Sequence, residues 1–397
     1  MTKKMTYAVP GFLANGIHVG IKDEQKKDLS LIYSTVPARA AAVFTTNAFK
    51  AAPVLLDMER IKAGFAQAIL TNSGNANAAT GREGYEDARV MSAALSGKLD
   101  IRDDLVFVAS TGVIGHRLPV TKIESGMGRL IRGLRPEGIE DAEDAIMTTD
   151  RFPKISIRKG RIGRREITLC GVAKGAGMIE PNMATMLAYV MTDADIEGSV
   201  LDRIFRRAVD RSFNAISVDG CMSTNDTAII LANGMAENQT IHGGQGASVF
   251  RDLLGAVMSE LSQAMVRDGE GATKLIRIDV QGARTLKEAK KIAYAVANSN
   301  LFKTACFGGD PNWGRIISAA GSTGIPLEVD AVEVYFDDTA VFRDSCGIPV
   351  NVKQLEKIMG GDELNLRIQL GLGTKSFCMH TSDLTYDYVK INAHYHT

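Results

Sequence analysis

Gly171-Val-Ala-Lys174-Gly-Ala-Gly177-Met-Ile-Glu-Pro181-Asn-Met-Ala184-Thr185-Met-Leu-Ala-Tyr-Val-Met-Thr-Asp193 is the tract on which the reading of the fold turns. Apolar residues run up to Lys174 and resume after Ala184, which predicts strands over 166–173 and 185–192 on either side of a loop. Lys174 ends the first strand. Pro181 has no N–H to give, so it forbids regular pairing inside the loop. Thr185 is β-branched and opens the second strand. On pattern alone it is an ordinary strand starter.

Outward from this tract, short apolar runs predict further strands at 38–45, 66–71, 105–110, 226–232, 275–280, 332–337 and 364–370. Helical spacing covers 82–97, 121–132, 137–147, 199–212, 246–267 and 285–299, the last opened by Thr285 and Glu288 in a capping box. This alternation implies sheets sandwiched by helices, with parallel and antiparallel pairing both open. Lys154, Arg158, Lys159, Arg161, Arg164 and Arg165 cluster around Gly160 and Gly163 between two alternating segments. The expected structure there is a solvated hairpin tip, and the alternative is a phosphate-binding patch, for instance for coenzyme A.

The 397 residues are 45% hydrophobic and 23% charged, with 46 Lys+Arg balancing 46 Asp+Glu. That composition excludes a disordered chain, and zero net charge supplies no broad field for nucleic acid or an anionic membrane. The expected partner is a small molecule. Five scattered cysteines, none in a CxxC pair, suit a reducing cytoplasm and suggest neither zinc nor redox chemistry. No apolar run is long enough to span a bilayer, and no export signal is read at the N-terminus. HExxH, GxSxG, the P-loop and a GxGxxG turn are all missing.

The tract 171–193 resembles the self-cleavage site of the ornithine acetyltransferase family, the bifunctional arginine biosynthesis proteins. Its pattern is KGAGMI, a proline or small residue, then ATML. Six further blocks look like the family's others in the same order: Thr71-Asn-Ser-Gly-Asn-Ala-Asn77, Ser110-Thr-Gly-Val-Ile-Gly115, Ile146-Met-Thr-Thr-Asp150, Asp219-Gly-Cys-Met-Ser-Thr-Asn-Asp226, Gly309-Asp-Pro-Asn-Trp-Gly-Arg315 and Ile391-Asn392. The resemblance covers the whole chain. It implies an α/β/β/α sandwich of the self-processing N-terminal-nucleophile-like type, and self-cleavage at Ala184-Thr185 into an alpha chain, 1–184, and a beta chain, 185–397. Two of each would assemble as a heterotetramer.

The implied reaction is ping-pong acetyl transfer from N2-acetylornithine to glutamate through acetyl-Thr185, with no cofactor and no metal. Threonine fits because cleavage leaves its hydroxyl beside a new α-amine that serves as base. By the match, Thr111 and Gly112 stabilise the oxyanion, Glu270 meets the ornithine ammonium and Lys174 a carboxylate. Thr148 is the matching side-chain contact, with Thr149 its neighbouring alternative. Asn392 and the terminal Thr397 complete the binding set. One departure from the pattern is Arg151, where the block after Thr148-Thr-Asp150 often continues with threonine. Acetyl-CoA stands as a second candidate donor that no residue decides. The rival readings are an aminopeptidase or amidase of the related fold, with water as acceptor, and a catalytically dead binding protein.

Overall fold

The computed structural model describes residues 7–22, 25–180 and 186–394. Two sheets organise them. The larger contains β1 (Phe12–Ile17), β2 (Leu29–Phe44), β3 (Phe65–Asn75), β4 (Val106–Val113), β5 (Ile155–Ile162), β6 (Arg165–Lys174) and β7 (Leu187–Thr192). The chain then crosses to the second sheet for β8 (Ile216–Ser217) and returns for β9 (Thr227–Ala232). The larger sheet has the order β4-β3-β2-β9-β7-β6-β5, with β1 on β2.

Strand β2 explains how this sheet becomes two layers. Its first half pairs with β1 and its second half with β9, while β3 pairs along the first half and, after a register slip between Tyr33 and Ala38, with Ala38 and Arg39. Pro37 lies in that slip, where a missing N–H costs no ladder bond. Neighbouring strands are about 4.8 Å apart, so in a flat sheet β3 and β7 would be roughly 14 Å from each other. Yet Thr71 Oγ1 on β3 and Tyr189 Oη on β7 are hydrogen-bonded at 2.8 Å. The two halves therefore face one another. Ile32, Ile69 and Phe107 from one half and Val172, Tyr189 and Ile229 from the other form the core between them.

Helices α1 (Ala52–Arg60), α2 (Gly81–Leu99) and α3 (Val120–Arg132) cover the outside of the β1–β4 half. Helix α4 (Ile139–Ile146) closes an edge of the central core. Helices α5 (Gly198–Arg211) and α6 (Gly244–Arg267) cover the outside of the other half. The layers thus run α/β/β/α, the expected arrangement.

The second sheet adds β10 (Leu275–Ala283), β11 (Glu333–Phe336), β12 (Thr339–Arg343), β13 (Cys346–Gly347), β14 (Glu363–Gln369) and β15 (Lys375–Ser382). Helices α7 (Leu286–Ala297), α8 (Asn300–Phe307), α9 (Trp313–Gly321) and α10 (Val352–Met359) share its core. The expected capping box of Thr285 and Glu288 opens α7. Helix α11 (Tyr386–His394) follows β15. Ile216 and Ser217 of β8 pair with β15, tying the second sheet to the sandwich. Among the described residues no helix is long and apolar enough to cross a membrane.

Candidate active site

Strand ends of the sandwich and the loops beyond α4 and α6 enclose one cavity. Thr111 and Gly112 reach it from the end of β4, Thr148 and Thr149 from the loop after α4, and Lys174 from the end of β6. Asp219 and Asn225 come from the segment before β9, Glu270 from beyond α6, and Tyr388 and Asn392 from α11. Six of the residues expected from the sequence, Thr111, Gly112, Thr148, Lys174, Glu270 and Asn392, are brought together here. Ala184, Thr185 and Thr397 lie outside the described residues.

Strands β3 and β4 run parallel with Gly74 beside Gly112. Gly112 has φ +136°, and a Cβ there would stand 2.3 Å from the Gly74 carbonyl carbon and 2.5 Å from Asn75 N. Both the dihedral and the close approach demand glycine. Ser110, two residues earlier, is fixed as well: Asn225 Nδ2 donates to the Ser110 carbonyl at 2.8 Å and Ser110 Oγ donates to Asn72 Oδ1 at 2.6 Å.

Lys174 Nζ is buried and donates to Thr111 Oγ1 at 3.1 Å and Thr148 Oγ1 at 2.9 Å. An ammonium only donates, so both hydroxyls accept from it and keep their own protons for another acceptor. Burial holds Lys174 below the ordinary lysine range, while Asp150, Glu270 and Asp226 pull it back. Asp150 accepts the N–H of Gly175 at 2.7 Å and of Thr148 at 2.9 Å, and Lys154 Nζ at 2.7 Å. Burial opposes its ionisation, but the Lys174 and Lys154 charges outweigh that and hold the carboxyl well below the usual range.

Lys154 corrects the expectation of a solvated tip. The hairpin β5–β6 exists, and Arg158, Lys159 and Arg165 make exposed ion pairs on it with Glu260, Glu166 and Glu237. Lys154 instead is fully buried and bonds Asp268 Oδ2 at 2.5 Å as well as Asp150. It precedes the hairpin, and its single charge is shared by two buried carboxylates. Arg151, the departure from the family pattern, donates from Nε to the other Asp268 oxygen at 3.1 Å. Asp268 stands two residues before Glu270, so this network locks together the loops that carry Thr148, Lys174 and Glu270. Sequence reading missed Asp150 and Asp268 as parts of the site, although each sits in or beside a motif already singled out.

Glu270 N donates to the Ala176 carbonyl at 2.8 Å, and its Oε2 accepts Asn392 Nδ2 at 2.8 Å. Gly177 makes room for it, since a Cβ there would fall 2.5 Å from the Glu270 carboxylate carbon. Asp219, which opens one of the resembling blocks but carries no site role in that reading, accepts the N–H groups of Met178 at 2.6 Å and Ile179 at 2.9 Å. Met178 has φ +55°, an uncommon conformation for a non-glycine residue, and these bonds hold the loop in it. The cavity therefore presents a cation, an anion and two hydroxyls at the mouth of one loop. Among the described residues no group of three or more His, Cys, Asp or Glu side chains could hold a metal ion.

The ArgJ family model matches residues 13–397. The arginine biosynthesis bifunctional protein ArgJ of Geobacter sulfurreducens is 49% identical over 391 residues, covering 98% of this chain and 100% of that protein. The protein of the same name from Caldanaerobacter subterraneus is 47% identical over 392 residues, covering 98% and 97%. Among solved structures, the arginine biosynthesis bifunctional protein argJ of Bacillus halodurans is 34% identical, covers 52% of this chain and 98% of its own, and has a TM-score of 0.51. An ornithine acetyltransferase of Mycobacterium tuberculosis complexed with ornithine is 33% identical, covers 46% and 95%, and has a TM-score of 0.40. With a family match that begins at β1 and relatives near half identity over almost every residue, this chain belongs to the ArgJ family.

Proposed function

We propose that the protein transfers the acetyl group of N2-acetylornithine to glutamate, releasing ornithine and forming N-acetylglutamate, after cutting its own chain at Ala184-Thr185. The observation that carries this reading is the pair of opposite charges, Lys174 and Glu270, in one cavity with Thr111 and Gly112. Ornithine and glutamate share an α-amino acid end and differ in the sign of their side-chain charge. A site that accepts them in turn needs both a cation and an anion. A hydrolase using water as acceptor has no such need.

In the cleavage step Thr185 Oγ attacks the Ala184 carbonyl carbon, the C–N bond breaks, and the hydroxyl proton ends on the Thr185 nitrogen. Water then hydrolyses the resulting ester and leaves a free α-amine beside the hydroxyl. In transfer that amine takes the hydroxyl proton as Oγ attacks the acetyl carbonyl, and passes it to the departing ornithine nitrogen. The glutamate amine then attacks the acetyl ester and the Thr185 hydroxyl is restored. Thr111 and the Gly112 N–H are the assigned donors to the oxyanion, a contact worth about 10² to 10³ in turnover. Thr148, Asn392 and Thr397 complete the substrate contacts, and of the two neighbouring threonines Thr148 is favoured because its hydroxyl is fixed by Lys174. Two features support cleavage. β6 and β7 pair antiparallel from Leu169 with Thr192 to Lys174 with Leu187, so a cut between them leaves both fragments in one sheet. The Bacillus halodurans chain is matched almost entirely by about half of this one, close to the share of residues 185–397.

Mass spectrometry of the purified protein tests the cut: two chains meeting at Ala184-Thr185 are expected, and an active enzyme of one 42.7 kDa species would refute it. Light scattering should give about twice that mass, for two cleaved protomers forming the heterotetramer. N-acetylglutamate formation should require both N-acetylornithine and glutamate, and equal deacetylation without glutamate would favour the amidase reading. The same assay with acetyl-CoA as sole donor decides whether the enzyme is bifunctional. A cytoplasmic location belongs to the same proposal and fits five free cysteines.

A further inference from the structure

Lys22 stands behind the cavity without lining it. Asp28, fully buried, accepts the N–H of Val19 on Oδ1 at 2.6 Å and those of Gly20, Ile21 and Lys22 on Oδ2 at 3.0, 2.7 and 3.1 Å. One carboxylate thus folds the segment 19–22 around itself. The Asp28 carbonyl also accepts the Ser73 N–H at 2.9 Å, which docks the segment on the end of β3. Beside Ser73 is Gly74, the residue against which Gly112 is seated. Gly74 has φ +97°, and a Cβ there would stand 3.1 Å from Lys22 Cγ. The lysine stem therefore lies over Gly74, and its ammonium donates to the Lys27 carbonyl at 2.8 Å and the Met147 carbonyl at 2.7 Å.

Met147 and Thr148 share a peptide, which is planar and moves as a unit. Its carbonyl takes Lys22 Nζ, and its N–H donates to Asp150 Oδ2 at 2.9 Å. Both polar ends of one peptide are held by charged side chains, and such bonds are stronger than neutral ones. Burial pushes the Lys22 ammonium down to about 8, with Asp28 and Asp144 opposing the shift and Lys174 and Lys26 adding to it, so the group carries its charge near neutral pH. A carbonyl at a helix end can be met by water, whereas drawing a lysine partly out of water costs free energy. What the lysine adds over water is a fixed peptide, from which Thr148 presents its hydroxyl to Lys174. We propose that Lys22 is a positioning residue for Thr148, setting through the Met147–Thr148 peptide the place of the hydroxyl that Lys174 holds. This rests on reading Thr148 as a substrate contact.

A double-mutant cycle on the full-length protein tests this. Wild type, Lys22→Met, Thr148→Ala, the two together and Lys122→Met are assayed for transfer from N-acetylornithine to glutamate, with thermal midpoints recorded for all. Lys22→Met should raise the KM for both substrates about tenfold and change kcat by less than about threefold, because both carry the α-carboxylate that the Lys174 end of the cavity receives. Thr148→Ala should do the same. The double variant should stay within about twofold of Thr148→Ala, since the peptide then has no hydroxyl to place. Lys122 Nζ donates to the Gly20 carbonyl from the exposed side of the same segment. Lys122→Met loosens that segment without reaching Met147, and should leave both KM values within about twofold of wild type. Effects that multiply in the double variant overturn the proposal and mark Lys22 as a support of the fold. So does a KM rise in Lys122→Met equal to that in Lys22→Met, or a loss of kcat in Lys22→Met at unchanged KM. Should Lys22→Met fail to fold, Lys22→Gln takes its place in the cycle. Wild-type constants in Thr148→Ala sink the reading of Thr148 as a contact, and the proposal falls with it.

Discussion

Glu270 and Lys174 face one cavity with different neighbours, and that difference sets what each can recognise. Lys174 spends two of its three protons on Thr111 and Thr148, leaving one donor for the carboxylate of the proposed substrate. Glu270 spends one oxygen on Asn392, and the other is the one assigned to the ornithine ammonium in the proposed reaction. Glu270→Ala should therefore raise the KM for N-acetylornithine by roughly ten- to a hundredfold, the equivalent of about 1.5–3 kcal/mol for a charge-assisted bond, and the KM for glutamate far less. Equal effects on both substrates would mean that Glu270 supports the fold instead. In the proposed reaction Thr185 has two separable tasks. Thr185→Ala lacks the hydroxyl and should neither cleave nor turn over, whereas Thr185→Ser keeps hydroxyl and amine but loses the methyl that restricts χ1, and should do both slowly. Trapping a covalent acetyl group on Lys174 after mixing with N-acetylornithine alone would contradict this order. None of these roles was legible from residue type. A glutamate between two glycines at Asp268-Gly-Glu-Gly271 is by default a surface group, and the tail bearing Asn392 reads as unstructured. The resemblance named them, and the fold then brought Thr111, Thr148, Lys174, Glu270 and Asn392 to one place.

Helices and strands with a clean period were legible almost to the residue, because their pattern reports a buried face directly. Helices α2, α3, α5 and α6 and strands β6, β9 and β14 fall within two residues of expectation. The missed elements lack that signal. β15 is a central strand between β10 and β8, yet Lys-Ser-Phe-Cys-Met-His-Thr-Ser carries few apolar residues. α11 buries none of its side chains, and β2 was read from residue 38 because Pro37 looks like a strand start and not a slip inside a longer strand. The Lys154 network was illegible for another reason: its members, Asp150, Lys154 and Asp268, are joined across elements and no spacing announces it. Its consequence is testable. Lys154→Met would leave Asp150 and Asp268 buried without their shared cation, and breaking a buried pair in this way costs about 3–5 kcal/mol. A denaturant midpoint unchanged from wild type would show that the network is not holding the three loops.

Across the whole molecule the sandwich and the second sheet meet at β15, and that junction contains a group whose charge state depends on folding. His380 on β15 is opposite Arg277 on β10 and beside Ile216 of β8. Burial pushes its imidazole down to about 4, with Arg277 and Arg267 adding to the shift and Glu363 opposing it. An unfolded chain would bind a proton there near the ordinary histidine value of about 6.5. Because the folded pKa is the lower one, the neutral ring's full contribution is present above about 6.5 and is lost progressively as pH falls toward about 4. Between pH 7 and pH 5 the loss amounts to about 2 kcal/mol. His380→Asn removes this titration while leaving a polar side chain of similar reach at the junction. Its thermal midpoint should therefore drop between pH 7 and pH 5 by about 2 °C less than that of wild type, whatever offset the substitution causes at pH 7. The readout is the difference between the two pH values, so a general loss of packing cannot imitate it. Parallel falls in the two proteins would show that the acid sensitivity of the fold lies elsewhere than at His380 on β15.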